Sequence, residues 1–98
     1  MMLIQLDASE WLTPRDFYRA LLAELGAPEW HGWSIDALID SMIFGGINSV
    51  VPPYRLIVTG LSKAREDAAS ELSQAFAALA QHPNRAHVAG DMAWLEIV

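Results

Sequence analysis

Asp36 and Asp40 stand four residues apart in PEWHGWSIDALIDSMI, residues 28–43, directly behind two tryptophans. At about 100° of rotation per residue, carboxylates at that spacing project from one face of a helix, one turn apart. Such a pair can exchange protons as general acid and base, or it can present negative charge to a partner. Acid-base work also needs an enclosed pocket and a wall for the far side of the substrate. Two acids on the outer face of one short helix do not supply these, so an enzyme is the weaker hypothesis.

The neighbouring residues favour a contact surface. Trp30 and Trp33 flank Gly32 in a segment too short to bury both rings with ease, and tryptophan exposed near acids anchors protein interfaces. The competing view is that the rings seal the edge of the core beneath the loop. Asp36 has a plain structural role open to it, because an acid in the first turn is stabilised by the helix N-terminus by about 0.3 to 1 kcal/mol. Asp40 has no such role. A mid-helix aspartate is a poor helix former, so it serves solubility or a task.

Other chemistries find no support in the spacing. His31, His82 and His87 lie on different segments with no H-x-x-x-H pattern, and each reads as a surface or loop histidine rather than a metal ligand. No cysteine is present, which removes thiolate ligands and disulfides and suits a reducing compartment. Ser62, Ser70 and Ser73 have no nucleophile-elbow setting, and Gly45-Gly46 lacks the Lys-Ser/Thr of a phosphate-cradling loop. They read as helix cap, helix surface and turn. No cofactor is expected.

The elements that must position the acids follow from periodicity. MLIQL (Met2 to Leu6) is a short apolar run suited to a first strand. Thr13, Pro14 and Asp16 open a helix as N-cap, first-turn proline and first-turn acid, with Phe17, Leu21 and Leu25 on its inner face. Gly26 can end it. Ser34 caps a second helix whose apolar stripe is Ile35, Leu38, Ile39 and Met42, and which stops by Gly45-Gly46. GGINSVVPPYR reads as a longish loop before a second strand at Tyr54 to Thr59. From about Ser62 to Gln81 the spacing of Ala68, Leu72, Phe76 and Leu79 predicts a long amphipathic helix, which His82-Pro83-Asn84 breaks. After a turn at Gly90-Asp91, MAWLEIV forms a third strand, and AHVA before it can pair as well.

Strands separated by helical segments predict an α/β fold, a three-stranded parallel β-sheet packed with helices, in one domain over residues 1–98. With 98 residues and 53% hydrophobic content, the chain has material for one core. No apolar run reaches the roughly 18 residues needed to cross a bilayer, and MMLIQLDASEW has no signal-peptide features. A soluble, unprocessed cytoplasmic protein is the expectation. Twelve acidic against six basic residues give a formal charge of −6. That charge repels nucleic acid and favours a basic macromolecular partner.

LAELGAPEWHGWSIDALIDSM resembles the barstar family, small inhibitors that neutralise a ribonuclease inside the cell that makes it. A helix ends, Pro-Glu-aromatic leads to a glycine, and a second helix opens with Ile-Asp-Ala-Leu and a further Asp. The resemblance implies the three-stranded parallel sheet and a non-enzymatic, toxin-neutralising role. It also implies that the loop and second helix plug a basic, extracellular-type ribonuclease. Asp40 then stands for an RNA phosphate, with Asp36 as its partner one turn earlier. Trp30 takes the place of an interface tyrosine, Gly32 matches the loop glycine, Ser34 keeps a capping role, and Trp33 belongs to the same face. Ile39 stands where the best-known member has an interface tryptophan, Ala78 where a supporting acid is expected, and the Gly45 to Arg55 loop is longer than its counterpart. These departures leave a second expectation open, a protein-interaction module of the same fold with a non-ribonuclease partner.

Overall fold

The computed structural model describes residues 1–98, in the order β1 (Met2–Asp7), α1 (Pro14–Glu24), α2 (Ile35–Leu38), a π-helical segment (Ile39–Phe44), β2 (Tyr54–Thr59), α3 (Glu66–Leu79), β3 (Arg85–Ala89) and β4 (Met92–Ile97). Period-two alternation in the strands produces the sheet's inner face. Ile4 and Leu6, Tyr54, Leu56 and Val58, and Ala93, Leu95 and Ile97 all turn inward and are buried, while their neighbours point away. The helices lay Phe17, Leu21, Leu38, Leu72 and Phe76 against this face, and the whole forms one cluster of 23 buried apolar residues.

The sheet corrects the expected three-stranded parallel arrangement. It has four strands in the order β1-β2-β4-β3. Only β1 and β2 are parallel; β4 runs antiparallel to both β2 and β3. The cause is the Gly90-Asp91 turn. A connection that short can join only antiparallel strands, whereas parallel neighbours need a crossover of about a dozen residues or more. The turn therefore returns β4 between β2 and β3.

Asp91 also fixes where the last helix starts. Its carboxylate accepts the Gly60 and Ser62 N–H groups at 3.2 and 3.1 Å, and the Ser62 hydroxyl donates to it as well. Ser62 is thereby held in a short 3-10 turn, Leu61–Lys63, and is not the cap of the long helix. The helix starts at Glu66 instead.

At the start of α1, the Asp16 carboxylate accepts the Leu12 and Thr13 N–H groups at 2.7 and 3.2 Å, satisfying donors that the helix cannot. The far end of α1 sets the geometry of the site. Gly26 has φ 62°, and a Cβ there would lie 2.8 Å from Ser49 Cβ. That close approach lets Ser49 N–H and Oγ–H both donate to the Gly26 carbonyl at 3.1 Å, while Val50 N–H donates to Leu25. The loop after the π-helical segment is thus clamped to the end of α1.

Candidate functional site

The segment between α1 and α2 carries most of the residues singled out by sequence. Ser34 is extended, with φ −151° and ψ 162°, and its Oγ accepts the Ala37 N–H at 3.1 Å. This is the N-cap expected from its position. The helix it opens is not a continuous α-helix, as the apolar stripe predicted. After one α-turn the chain widens into the π-helical segment, closed by Gly45 N–H donating to the Asp40 carbonyl at 3.1 Å. Such wide turns are uncommon and concentrate at functional sites.

Leu38 and Met42 are fully buried, and Ile35 and Ile39 are half-buried against the core. Asp36 and Asp40 lie exposed. Neither forms an ion pair, since the salt bridges of the chain are Arg19–Asp16 and Arg55–Glu96. Both charges are therefore directed at solvent and uncompensated.

The two tryptophans differ. Trp30 is 74% exposed, which sets aside the alternative that it seals the core. Trp33 is less exposed, and the Arg15 guanidinium sits 4.9 Å from its ring centroid, so α1 holds it through a cation–π contact. Gly32 is exposed, and a Cβ there would come within 3.2 Å of Ala37 Cβ, tight against the helix start.

A depression of about 200 Å³ is lined by Trp30, His31, Gly32, Ala37, Asp40 and Ile47. It brings together Trp30, Gly32 and Asp40, while Asp36, Trp33, Ser34 and Ile39 lie outside its lining. Its volume is below the roughly 300 to 1,000 Å³ of small-molecule sites. The arrangement suits the insertion of a protruding group from a larger partner.

His31, expected at the surface or in a loop, does lie in the loop between α1 and α2 but not at the surface. It is 5% exposed. Its Nδ1 lies 2.6 Å from the Gly32 carbonyl oxygen and its Nε2 lies 2.7 Å from Ser41 Oγ. Ser41 is buried too, with its hydroxyl 3.4 Å from the Leu38 carbonyl. The burial of Ser41 had a signal in the sequence: it falls three residues after Leu38 and so shares the inner side of the helix with Met42. Ile47, from the loop that Ser49 and Val50 clamp, carried no such signal. Phe44 is 78% exposed at the end of the π-helical segment and was likewise not singled out.

Fold and surface together define a small α/β protein with one mixed sheet and an unpaired acidic helix face beside an exposed tryptophan. A family profile described as Barstar (barnase inhibitor) matches residues 1–97. The chain belongs to the barstar family. No curated protein matches it, and no solved structure does.

Proposed function

We propose that the chain is a ribonuclease inhibitor that acts as a monomer and fills its target's active site with the surface around Trp30 and Asp40. One observation carries this reading: an unpaired carboxylate and an exposed tryptophan border the same depression. Asp40 stands in for an RNA phosphate against the enzyme's basic groups, and Asp36 adds charge from the preceding turn. Trp30 and Gly32 supply an aromatic anchor and a close backbone approach, with Trp33, Ser34 and Ile39 supporting them. The partner is a basic ribonuclease of the secreted type, met in the cytoplasm before export. A net charge of −6 attracts such an enzyme and speeds encounter. Truncating one partner of a buried, hydrogen-bonded charge pair at an interface costs about 2 to 5 kcal/mol, and the barnase–barstar pair is an instance of such charge coupling.

The test is protection of RNA against barnase and against ribonucleases from the source organism. Wild type is expected to inhibit at least one of them, and Asp40→Ala to lose most of that inhibition. A wild type that neither binds nor protects would overturn the proposal.

Ile39 favours a second reading. It packs half-buried against the core at the position where a family member presents tryptophan, and Ala78 offers no acid. A non-ribonuclease partner bound through the same face and the longer loop fits that pattern. Capture of such a protein from source lysate, lost on changing Asn48 to Pro53, would favour this reading over inhibition.

A further inference from the structure

Trp30 and His31 are neighbours with opposite environments: the indole is 74% exposed and the imidazole 5%. Apolar area alone favours the reverse, since an indole removes more such surface from water than an imidazole does. Hydrogen bonds hold His31 inside. The Gly32 carbonyl oxygen, 2.6 Å from Nδ1, can only accept, so Nδ1 carries a proton. In the neutral ring Nε2 is then an acceptor, and the Ser41 hydroxyl, with one proton to give, is better placed to donate to it at 2.7 Å than to the Leu38 carbonyl at 3.4 Å. The His31 main-chain N–H donates to the Pro28 carbonyl at 3.0 Å, closing the turn from the other side. Ser41 directly follows Asp40, and His31 and Asp40 line the same depression.

We infer that His31 is the positioning residue of this surface: it latches the loop to the π-helical segment, so that Trp30 and Asp40 meet a partner as one preset unit. The consequence for binding rests on the proposed inhibitor role, whereas the latch itself does not. Preset geometry matters because apparent affinity falls in proportion to the fraction of molecules that are competent to bind. Without the latch, the loop is free to turn Trp30 toward the space that the imidazole fills. The core strands do not depend on that choice.

The test uses His31→Leu, Ser41→Ala, the double variant and His31→Gln in the full chain. His31→Leu creates little buried polar loss, because Gly32 is exposed and Ser41 keeps the Leu38 carbonyl within 3.4 Å. Each single variant is expected to bind barnase about tenfold more weakly, the order of one buried hydrogen bond. For His31→Leu the urea midpoint stays near that of wild type. The double variant is expected to be no weaker than either single, because both changes open one latch. His31→Gln, whose amide can both donate and accept, restores most of the affinity. Independently of any partner, ring ¹⁵N shifts should show the Nδ1–H tautomer in wild type, and amides of residues 29–33 should exchange faster in both single variants. If wild type fails to bind barnase, the choice of target fails while amide exchange still decides the latch. Unchanged exchange would overturn the latch. Faster exchange with unchanged barnase affinity, or a urea midpoint that falls in step with affinity, would overturn the positioning role.

Discussion

Trp30, from the loop, and Asp40, from the π-helical segment, border a single depression of about 200 Å³. An aromatic wall beside an unpaired carboxylate offers complementary surfaces to a group that is both cationic and flat-sided. The ring face attracts positive charge, and the carboxylate fixes where that charge sits.

Asp40→Ala should separate binding from folding. The side chain is exposed and unpaired, so the urea midpoint should move by no more than about 0.5 kcal/mol equivalent. Partner dissociation, measured by surface plasmon resonance, should accelerate by about two orders of magnitude. Asp36→Ala should weaken binding less and cost about 0.3 to 1 kcal/mol of stability, because Asp36 lies in the first turn of α2.

Trp30→Ala should behave as a hot-spot truncation. Calorimetric titration should show a loss of about 2 kcal/mol or more in binding free energy. With the ring 74% exposed in the free protein, thermal unfolding should be nearly unchanged.

Gly26→Ala should destabilise. An alanine held at φ 62° costs about 1 to 2 kcal/mol in the left-handed region, and its Cβ meets Ser49 as well. Urea unfolding measures the loss. Amide exchange at Ser49 and Val50, whose N–H groups bond to Gly26 and Leu25, should rise along with it.

Acid should weaken the fold through three aspartates. Backbone N–H donors hold Asp16 below its ordinary value, as Ser9 does for Asp7; Asp91 is held down by the Ser62 hydroxyl first and then by the Ser62 and Gly60 N–H groups. A carboxyl depressed in the folded state adds stability above its unfolded value, about 3.9, and loses it as pH falls through the lower folded value. Urea midpoints should therefore be flat above about pH 5 and decline below it. Asp91→Asn should flatten that decline by lowering the plateau near neutrality.

Local signals in the chain were enough for the elements that stand on local chemistry. Thr13-Pro14 and Ser34 mark helix starts because capping is settled within a few residues, and Tyr54–Thr59 shows its strand in the apolar, β-branched run YRLIVT. Strand direction was harder to read. It depends on which edge a returning chain meets, and the deciding feature was the short turn at Gly90-Asp91 acting on AHVA before it. The burial of His31, a loop histidine as expected, was hidden for a related reason. An imidazole in a polar loop looks solvent-exposed until a hydroxyl on another element is found opposite it, and nothing near His31 in the chain announces Ser41. Asp40 was legible because an aspartate in mid-helix is locally unfavourable, and its exposure followed from the apolar stripe on the other side.

The clamp of Ser49 and Val50 onto the end of α1 divides the following loop into a fixed base and a free tip. Gly45 to Ile47 hang between the π-helical segment and that clamp, and Ile47 reaches the rim of the depression. Exchange or lengthening at this tip alters what the rim touches while leaving its anchorage in place. The rim on that side of the depression therefore rests on a tip that no core contact constrains.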